Sequence, residues 1–454
     1  MTALLFELVP ALHGARVDVS GVLGERSGSP AGGMSQSLRG ALVVVEIALS
    51  LVLLVGAALM LKSVGRLLRV DAGFEPRGVV SAELNLPRRK YIDERLEREF
   101  SPESYARANQ FFQSVIGRIR ALPGVQAAAV TSGLPLGGEN WGKTITFYDR
   151  PIPSRLQDLP PIQYRVVAGD YFRALGIPIL AGRAFTERDV LHAPWVAVVN
   201  RELVRRYWNG RDPVGRLISV NPPRELVPAG TLPPNYAGPE KYTVVGVVGN
   251  ALYGALDREP LPLVYVPYAQ GAEGATNMTL VVRARKDPLS LVGAIREQIA
   301  GVDRDQPIAN VSTLEARIGT SILRPRLVTL MLGAFAALAA LMALVGIYGV
   351  MWSSIRQRTT EIGIRMALGA EPAWVIKEVL TRGLRLSAAG VGLGLAAALG
   401  VSRVLSALLF GVSSIDPPTY LGVAVVLTCA ALAACYLPAR RAARVDPAIA
   451  LRAE

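Results

Sequence analysis

Four long apolar stretches constrain this chain more than any other feature of its sequence. They cover residues 41–61, 327–352, 386–411 and 419–437, and their charged side chains are Glu46 in the first and Arg403 in the third. About 20 apolar residues are enough to cross the roughly 30 Å hydrocarbon core of a bilayer. With 19% charged residues, the chain also falls below the roughly 25% of a typical soluble protein. The sequence therefore predicts four transmembrane helices, the first extending over residues 41–63.

The arginines and lysines indicate how these helices are oriented. They gather before the first span, between the second and third, and after the fourth, and all three groups share one side if the spans alternate. Cationic loops stay in the cytoplasm, so residues 1–40, 353–385 and 438–454 are predicted to be cytoplasmic. This pattern also accounts for the net charge of +13 without a nucleic-acid partner. The chain is predicted to be a multi-pass protein of the cell membrane.

The long segment at residues 64–326 is then extracytoplasmic, and its patterns are those of an α/β domain. Ser101 and Asp287 each precede a proline and a run of helically spaced apolar residues, which predicts two amphipathic helices. Short β-branched runs bounded by Gly, Pro or Asn predict strands. These runs cover residues 195–199, 242–248, 264–266 and 279–282. The predicted fold class is an α-helical membrane protein of four spans, with a large α/β domain inserted between the first two.

The sequence offers little material for a cofactor, a metal site or catalysis. Its two cysteines lie in the fourth span, and its two histidines are far apart, whereas a metal site needs clustered ligands. Residues 137–144 fit the phosphate-loop expression G-x-x-x-x-G-K-T. However, a phosphate loop needs a helix beginning at its Lys-Thr, and here Thr144 continues into β-like sequence on the extracytoplasmic side. We therefore expect no enzyme activity, no cofactor and no nucleotide at Lys143.

Residues 356–370 form a cytoplasmic amphipathic stretch between the second and third spans. Glu361 and Arg365 have the favourable acid-first spacing of four residues, Ile362 and Leu368 contribute to an apolar side, and Gly369 is placed to end a helix. Two interpretations remain open from the residues alone. The stretch could dock on another protein, or it could lie on lipid headgroups as an interfacial helix.

Small residues recur every four positions in the third span, at Gly390, Gly394, Ala398 and Ser402. Such a ridge allows two membrane helices to approach closely, so we predict a helix-packing role. Glu46 and Arg403 are costly inside a membrane. Because both lie toward the ends of their spans, we expect their side chains to snorkel to the interface.

The chain also contains a short internal repeat. Residues 10–18 match residues 438–446 at six of nine positions. The second copy directly follows the fourth span, whereas the first has only nine residues before it. This leads to the expectation that residues 1–40 include the remnant of a preceding four-span unit.

One span, a large outer domain and three further spans resemble the MacB/FtsX-like permeases of ABC transporters. The resemblance is carried by residues 361–370 (EIGIRMALGA) after the second span, and by residues 169–177 with 182–185, 196–200 and 212–215 in the outer domain, which are similar to the MacB-type core domain. The repeat further resembles the duplicated orphan permeases, of which this would be the second unit.

This resemblance implies a permease subunit driven by a separate ABC ATPase. ATP-driven motion would be transmitted to the outer domain for export or extraction of a substrate, with a second permease unit as homodimer or heterodimer and membrane lipids as further partners. The ATPase-coupling residues that it implies are Arg358, Glu361, Ile362, Gly363, Arg365, Leu368 and Gly369. The alternative is a membrane-anchored sensor or scaffold that regulates an extracytoplasmic partner without transport.

Overall fold

The computed structural model describes residues 31–98, 102–137, 142–227, 241–270, 276–358, 361, 364–365, 371–406 and 409–442. Within these, the chain divides into two compact units. The membrane unit contains the four long helices. The outer unit runs from Met60 to Thr329 and includes Phe410–Val412.

Among the described elements, strands occur only in the outer unit, where they are mixed with short helices. In chain order the helices are α1 Ala31–Leu67, α2 Arg88–Tyr91, α3 Glu94–Arg98, α4 Ala106–Arg120, α5 Tyr171–Leu175, α6 Arg201–Trp208, α7 Val292–Ala300, α8 Leu314–Ser321, α9 Leu323–Gln357, α10 Pro372–Leu405 and α11 Pro417–Ala442. The strands are β1 Val79–Asn85, β2 Val125–Thr131, β3 Gly142–Thr144, β4 Thr146–Phe147, β5 Pro161–Gly169, β6 Ile179–Gly182, β7 Val196–Asn200, β8 Leu217–Ser219, β9 Tyr242–Val248, β10 Leu263–Pro267, β11 Asn277–Ala284 and β12 Ala309–Thr313.

Four described helices, α1, α9, α10 and α11, are long and apolar enough to cross a membrane, as the hydropathy predicts. All four helices differ in their bounds from the predicted spans, and the third differs most. It begins at Pro372 rather than at residue 386, and it ends at Leu405 rather than at residue 411. The cationic residues before 386 suggested a loop, but proline at the first helical position favours helix initiation. No further proline follows within α10, so the helix continues into the span without interruption.

Helix α1 is the most enclosed member of the membrane unit. In the most apolar 18-residue stretch of each helix, the buried share is 44% for α1 and 17–22% for the other three helices. Ile47, Leu51, Val55 and Leu59 are each 0–1% exposed, and they recur at helical spacing along one face. Both α9 and α10 contact α1, at Gly346 and at Gly390 respectively.

The described residues of the outer unit form a mixed 12-stranded sheet. Its main path has the order β12-β1-β11-β2-β5-β10-β7-β9-β8-β4, with β3 attached to β5 and β6 attached to β9. Two pairs, β5 with β10 and β7 with β9, are parallel, and the remaining recorded pairs are antiparallel. The predicted strand runs lie on β7, β9, β10 and β11.

Apolar side chains cover both faces of this sheet. On β5, Tyr164 and Val166 belong to one buried cluster, whereas Val167 belongs to the other, because alternate residues of a strand point to opposite faces. Helices α4 and α7 pack on the first face, and α5 and α8 pack on the second. The result is the predicted α/β architecture.

The two predicted amphipathic helices are present, but each starts later than its sequence signal. A 3-10 turn over Pro102–Tyr105 precedes α4, and Ser101 lies outside the described residues. Asp287 accepts a hydrogen bond from the backbone N–H of Leu289 at 3.1 Å, and a 3-10 turn then leads into α7. Tight 3-10 turns are common at helix N-termini, so Asp287 marks where the turn begins rather than where the α-helix begins.

Candidate coupling site

The second and third membrane helices meet at their cytoplasmic ends. Helix α9 closes with a hydrogen bond of 3.0 Å from the backbone N–H of Arg358 to the carbonyl of Ile355. Helix α10 opens at Pro372 after Glu371, whose carbonyl accepts a hydrogen bond of 2.9 Å from the N–H of Trp374. These two ends form the walls of a small cleft, which we call the coupling cleft.

The floor of the coupling cleft is apolar. Ile355 of α9 packs against Val375 and Val379 of α10, and the first two are only 8% and 2% exposed. Burial of apolar side chains between two helices contributes about 1.5–3 kcal/mol for each fully buried residue. This contact keeps the two helix ends adjacent.

The rim carries two ion pairs and an aromatic ring. Arg358 Nη1 lies 3.5 Å from Glu378 Oε1, and Arg365 Nη2 lies 2.7 Å from Glu361 Oε1. The Arg365 guanidinium also lies 4.9 Å from the centroid of the Trp374 ring, within the range of a cation–π contact. All four charged side chains are about half exposed, so each ion pair contributes only about 0–1 kcal/mol to stability. Their exposure leaves these groups able to meet a partner.

Two serines at the end of α9 are held by arginines of other helices. Arg382 of α10 donates a hydrogen bond to Ser354 Oγ at 2.7 Å, and Arg39 of α1 donates one to Ser353 Oγ at 3.4 Å. Ser354 is only 6% exposed. A displacement of the α9 terminus therefore acts on α10 and α1 as well.

The size of the coupling cleft indicates what it can accept. Its cavity volume is about 40 Å³, far below the roughly 300–1,000 Å³ of sites for organic ligands. A volume of this size holds a few waters or the tip of one side chain. The cleft therefore suits a protein surface, with charged groups and one tryptophan as its contacts.

The structure places three of the seven predicted coupling residues, Arg358, Glu361 and Arg365, on this cleft. The other four, Ile362, Gly363, Leu368 and Gly369, lie outside the described residues. Sequence analysis missed Trp374 and Glu378. Their spacing of four residues was a usable signal for one helical face, but both fell in a segment assigned to the region before the third span.

The small-residue ridge of α10 lies partly against α1. A Cβ added at Gly390 would come within 2.7 Å of the Ile47 side chain, and one at Gly394 within 3.0 Å of the Ala48 backbone. Ala398 and Ser402 are each 2% exposed, and the Ala398 carbonyl accepts a hydrogen bond of 3.3 Å from the Tyr420 hydroxyl of α11.

Glu46 is half-buried, and the snorkelling of its side chain to the interface stays a prediction. Its Oε2 atom is buried and has no hydrogen-bond partner among the described residues. This oxygen lies 2.6 Å from the position that a Cβ of Gly346 on α9 would occupy. One oxygen of this carboxyl group therefore points into the contact between α1 and α9. Arg403 is exposed near the outer end of α10.

The phosphate-loop look-alike has strand geometry where it is described. Gly142–Thr144 forms β3, which pairs antiparallel with β5, and residues 138–141 lie outside the described residues. Lys143 Nζ donates a hydrogen bond to Asn221 Oδ1 at 3.0 Å and lies 4.6 Å from the Tyr164 ring centroid. No helix begins at Thr144, so the backbone N–H groups that bind phosphate in such loops are not presented here. Among the described residues, no cluster of three or more His, Cys, Asp or Glu side chains could hold a metal ion.

Comparison with known proteins identifies both halves of the chain. The model of the MacB-like periplasmic core domain matches residues 47–300, and that of the FtsX-like permease C-terminal region matches residues 333–447. The chain is 28% identical over 307 residues to the pyoverdine export ATP-binding/permease protein PvdT of Pseudomonas aeruginosa. It is 29% identical over 300 residues to the macrolide export ATP-binding/permease protein MacB of Azoarcus sp..

These relatives are longer than the chain. The two alignments cover 64% and 63% of this chain but only 43% and 42% of the relatives. Among solved structures, the periplasmic region of MacB from Actinobacillus actinomycetemcomitans is 13% identical, with a TM-score of 0.34. That alignment covers 56% of this chain and 97% of the other.

The family assignment rests on the match to the core-domain model, which alone spans more than half of the chain. The four apolar helices and the α/β domain between the first two agree with it, and the cationic segments place that domain outside the cytoplasm. The chain is thus a multi-pass membrane protein that belongs to the MacB/FtsX-like family of ABC transporter permeases.

Proposed function

We propose that the chain is a permease subunit moved by a separate ABC ATPase that docks on the coupling cleft. The observation that carries the proposal is the arrangement at the cytoplasmic ends of α9 and α10. There, exposed charged groups and Trp374 surround an apolar floor. The names of the relatives, export ATP-binding/permease proteins, support an ATPase as the partner.

The cleft connects the docking surface to two membrane helices at once. Arg365 contacts the start of α10 through Trp374, and Arg358 links the end of α9 to Glu378. A force applied to this rim would therefore act on both helices. Because α9 follows the outer domain directly in the chain, its movement would be passed to that domain for export or extraction of a substrate. In this mechanism the chain moves and carries out no bond chemistry.

We further propose that a second permease unit and lipid share the outward face of α9. Leu330, Leu341 and Val345 are each 60–63% exposed, and large apolar side chains on a membrane helix need lipid tails or another helix as cover. The second unit would be another copy of this chain or a related polypeptide.

Affinity purification of the intact chain from membranes in mild detergent tests the docking proposal. Mass spectrometry of the retained chains should identify an ABC ATPase. Arg365→Glu should reduce its recovery at least about tenfold, because the substitution removes the ion pair to Glu361 and the contact with Trp374 and places like charges four residues apart. Arg304→Glu, a charge reversal at an exposed residue of the outer domain, is the matched control and should recover the ATPase as the parent does.

A double charge swap separates docking from local folding. Glu361→Arg with Arg365→Glu keeps an ion pair at the same spacing but inverts the charges that face a partner. Loss of the ATPase in the swap as well as in Arg365→Glu supports direct docking. Full recovery in both variants contradicts the proposal, and recovery of an outer-domain partner without any ATPase would support the sensor or scaffold alternative.

A further inference from the structure

The outer unit contains a cavity that the coupling mechanism does not use. Its volume is about 630 Å³, which lies within the roughly 300–1,000 Å³ typical of sites for organic ligands. Its wall is formed by three segments that are distant in sequence. These are residues 70–75 after α1, the turn around Pro178 after α5, and residues 249–260 after β9. We call it the connector cavity, because Phe410, from the connector between α10 and α11, also lines it.

The walls of the connector cavity are fastened to one another by backbone hydrogen bonds. The N–H of Leu252 donates to the carbonyl of Ala72 at 3.0 Å, and the N–H of Gly249 donates to the carbonyl of Pro178 at 2.9 Å. Gly73 has a φ of +76°, and a Cβ there would lie 1.6 Å from the Asn250 carbonyl oxygen. The two main segments therefore touch through their backbones. A cavity with fixed walls loses little conformational entropy when a ligand enters.

Part of the inner surface of the connector cavity is apolar. Val70 and Phe410 line it and are half-buried. Phe74, Leu252 and Leu256 also line it, but they are only 5–8% exposed and belong mainly to the buried cluster on one face of the sheet. A ligand with hydrocarbon or aromatic surface of its own would cover this apolar part.

The rim of the connector cavity is predominantly acidic. Four carboxylates, Asp71, Glu75, Asp257 and Glu259, outnumber two guanidinium groups, those of Arg201 and Arg258. All six are exposed, and they belong to a chain whose net charge is +13. Acidic residues around an apolar cavity raise the local concentration of cations and lower that of anions. The charge at this site is thus opposite to that of the whole protein.

We propose that the connector cavity binds an amphipathic organic cation, with its apolar body against Val70 and Phe410 and its positive charge beside Asp257 and Glu259. The inference deepens the proposed permease function, because it names a substrate class for the outer domain. Of the lining, residues 70–75 follow α1 in the chain, and Phe410 follows α10. Movement of these helices in the transport cycle would therefore alter the cavity and release the ligand.

A pair of probes with the same shape and opposite charge tests this proposal. The full chain in nanodiscs, without ATPase or nucleotide, is titrated with tetraphenylphosphonium and separately with tetraphenylborate, and binding to empty nanodiscs is subtracted. We expect saturable binding of the phosphonium cation. Equal or stronger saturable binding of the borate anion would overturn the charge preference, and absence of saturable phosphonium binding would overturn the site.

Matched variants assign the binding to the connector cavity. Asp257→Asn with Glu259→Gln should weaken phosphonium binding at least about tenfold and leave the melting temperature unchanged, since both side chains are exposed. The control is Asp305→Asn with Glu187→Gln, which removes the same charge from side chains that are 92% and 97% exposed elsewhere. Unchanged affinity in the cavity variant, or an equal loss in the control, contradicts the proposal.

The two proposals can fail independently. Phosphonium binding is measured without an ATPase, so it would persist if docking on the coupling cleft were wrong. Conversely, recovery of an ATPase with no phosphonium binding would leave the permease proposal standing and remove the substrate class.

Discussion

The contact between α1 and α10 should be intolerant of a single added methyl group. Cβ atoms at Gly390 would lie 2.7 Å from Ile47 Cβ and 3.1 Å from the Val44 carbonyl oxygen. Carbon atoms in contact prefer about 3.5–4.0 Å, so Gly390→Ala requires the two helices to separate by roughly 1 Å or Ile47 to move. At Gly394 the obstacle is the Ala48 backbone at 3.0 Å, which cannot rotate away.

The size of the effect follows from two opposing terms. Overpacking a well-packed contact costs about 1–3 kcal/mol, whereas replacing Gly by Ala inside a helix gains up to about 1 kcal/mol. Gly392 and Gly400 lie in the same helix and have no heavy atom within 4 Å of an added Cβ, so only the gain applies there. We therefore expect Gly390→Ala to be less stable than Gly392→Ala by about 1–3 kcal/mol.

The assay is thermal or SDS unfolding of the purified full chain in detergent. The parent, Gly390→Ala, Gly394→Ala and the two controls Gly392→Ala and Gly400→Ala are compared under one condition. If Gly390→Ala and Gly394→Ala unfold at the same midpoint as the controls, the close approach of α10 to α1 is wrong. If all four variants lose stability equally, the glycines matter for a reason other than this contact.

Three other consequences can be measured on the same preparation. Hydrogen bonds from Arg205 lower the pKa of the Glu202 carboxyl, although burial acts in the opposite direction. The ionised carboxylate therefore stabilises the folded state above the pKa of the unfolded chain, and this stabilisation is lost as pH falls through the folded-state pKa. Glu202→Gln should lower the melting temperature by about 2–4 °C at neutral pH, and this difference should shrink as pH falls below about 4. An undiminished difference in acid would contradict the ion-pair origin. Lys143→Ala should leave ATP hydrolysis by the assembled complex unchanged in a phosphate-release assay, because Lys143 lies on strand β3 and its side chain is hydrogen-bonded to Asn221. A large loss of hydrolysis would support a phosphate loop at this position. Mass photometry in mild detergent should find two permease units per particle. An active monomer would refute the proposal that a second permease unit is needed.

Hydropathy was sufficient to find the membrane helices, because a bilayer admits few spanning structures and requires about 20 apolar residues in a row. Four strands of the outer domain, β7, β9, β10 and β11, could be predicted from their β-branched runs for a similar local reason. Their order was not predictable. Val80 on β1 is paired with Val282 on β11 and with Thr313 on β12, and nothing in the local pattern of residue 80 specifies partners more than 200 residues away.

The coupling cleft shows the same division between local and distant information. The pair Glu361 and Arg365 could be predicted because helical spacing brings residues four apart together. The approach of Arg358 to Glu378 depends on how the chain turns between α9 and α10, and local periodicity does not encode this turn. The connector cavity could not be predicted from the sequence for the same reason. Asp71 and Glu259 look like ordinary surface acids until the fold brings their segments together.

Glu46 and Gly346 show how the structure brings together two residues that are far apart in the sequence. A carboxyl group near the end of a span predicts snorkelling, whereas nothing in the sequence pattern singles out Gly346. In the structure the glycine makes room for the carboxyl, since its missing Cβ would stand 2.6 Å from Glu46 Oε2. Glu46 Oε2 has no hydrogen-bond partner among the described residues, and a buried polar atom in that state costs free energy in a membrane. Because α9 carries part of the rim of the coupling cleft and α1 is the most enclosed of the described membrane helices, this contact joins the helix at the proposed docking surface to the most enclosed helix.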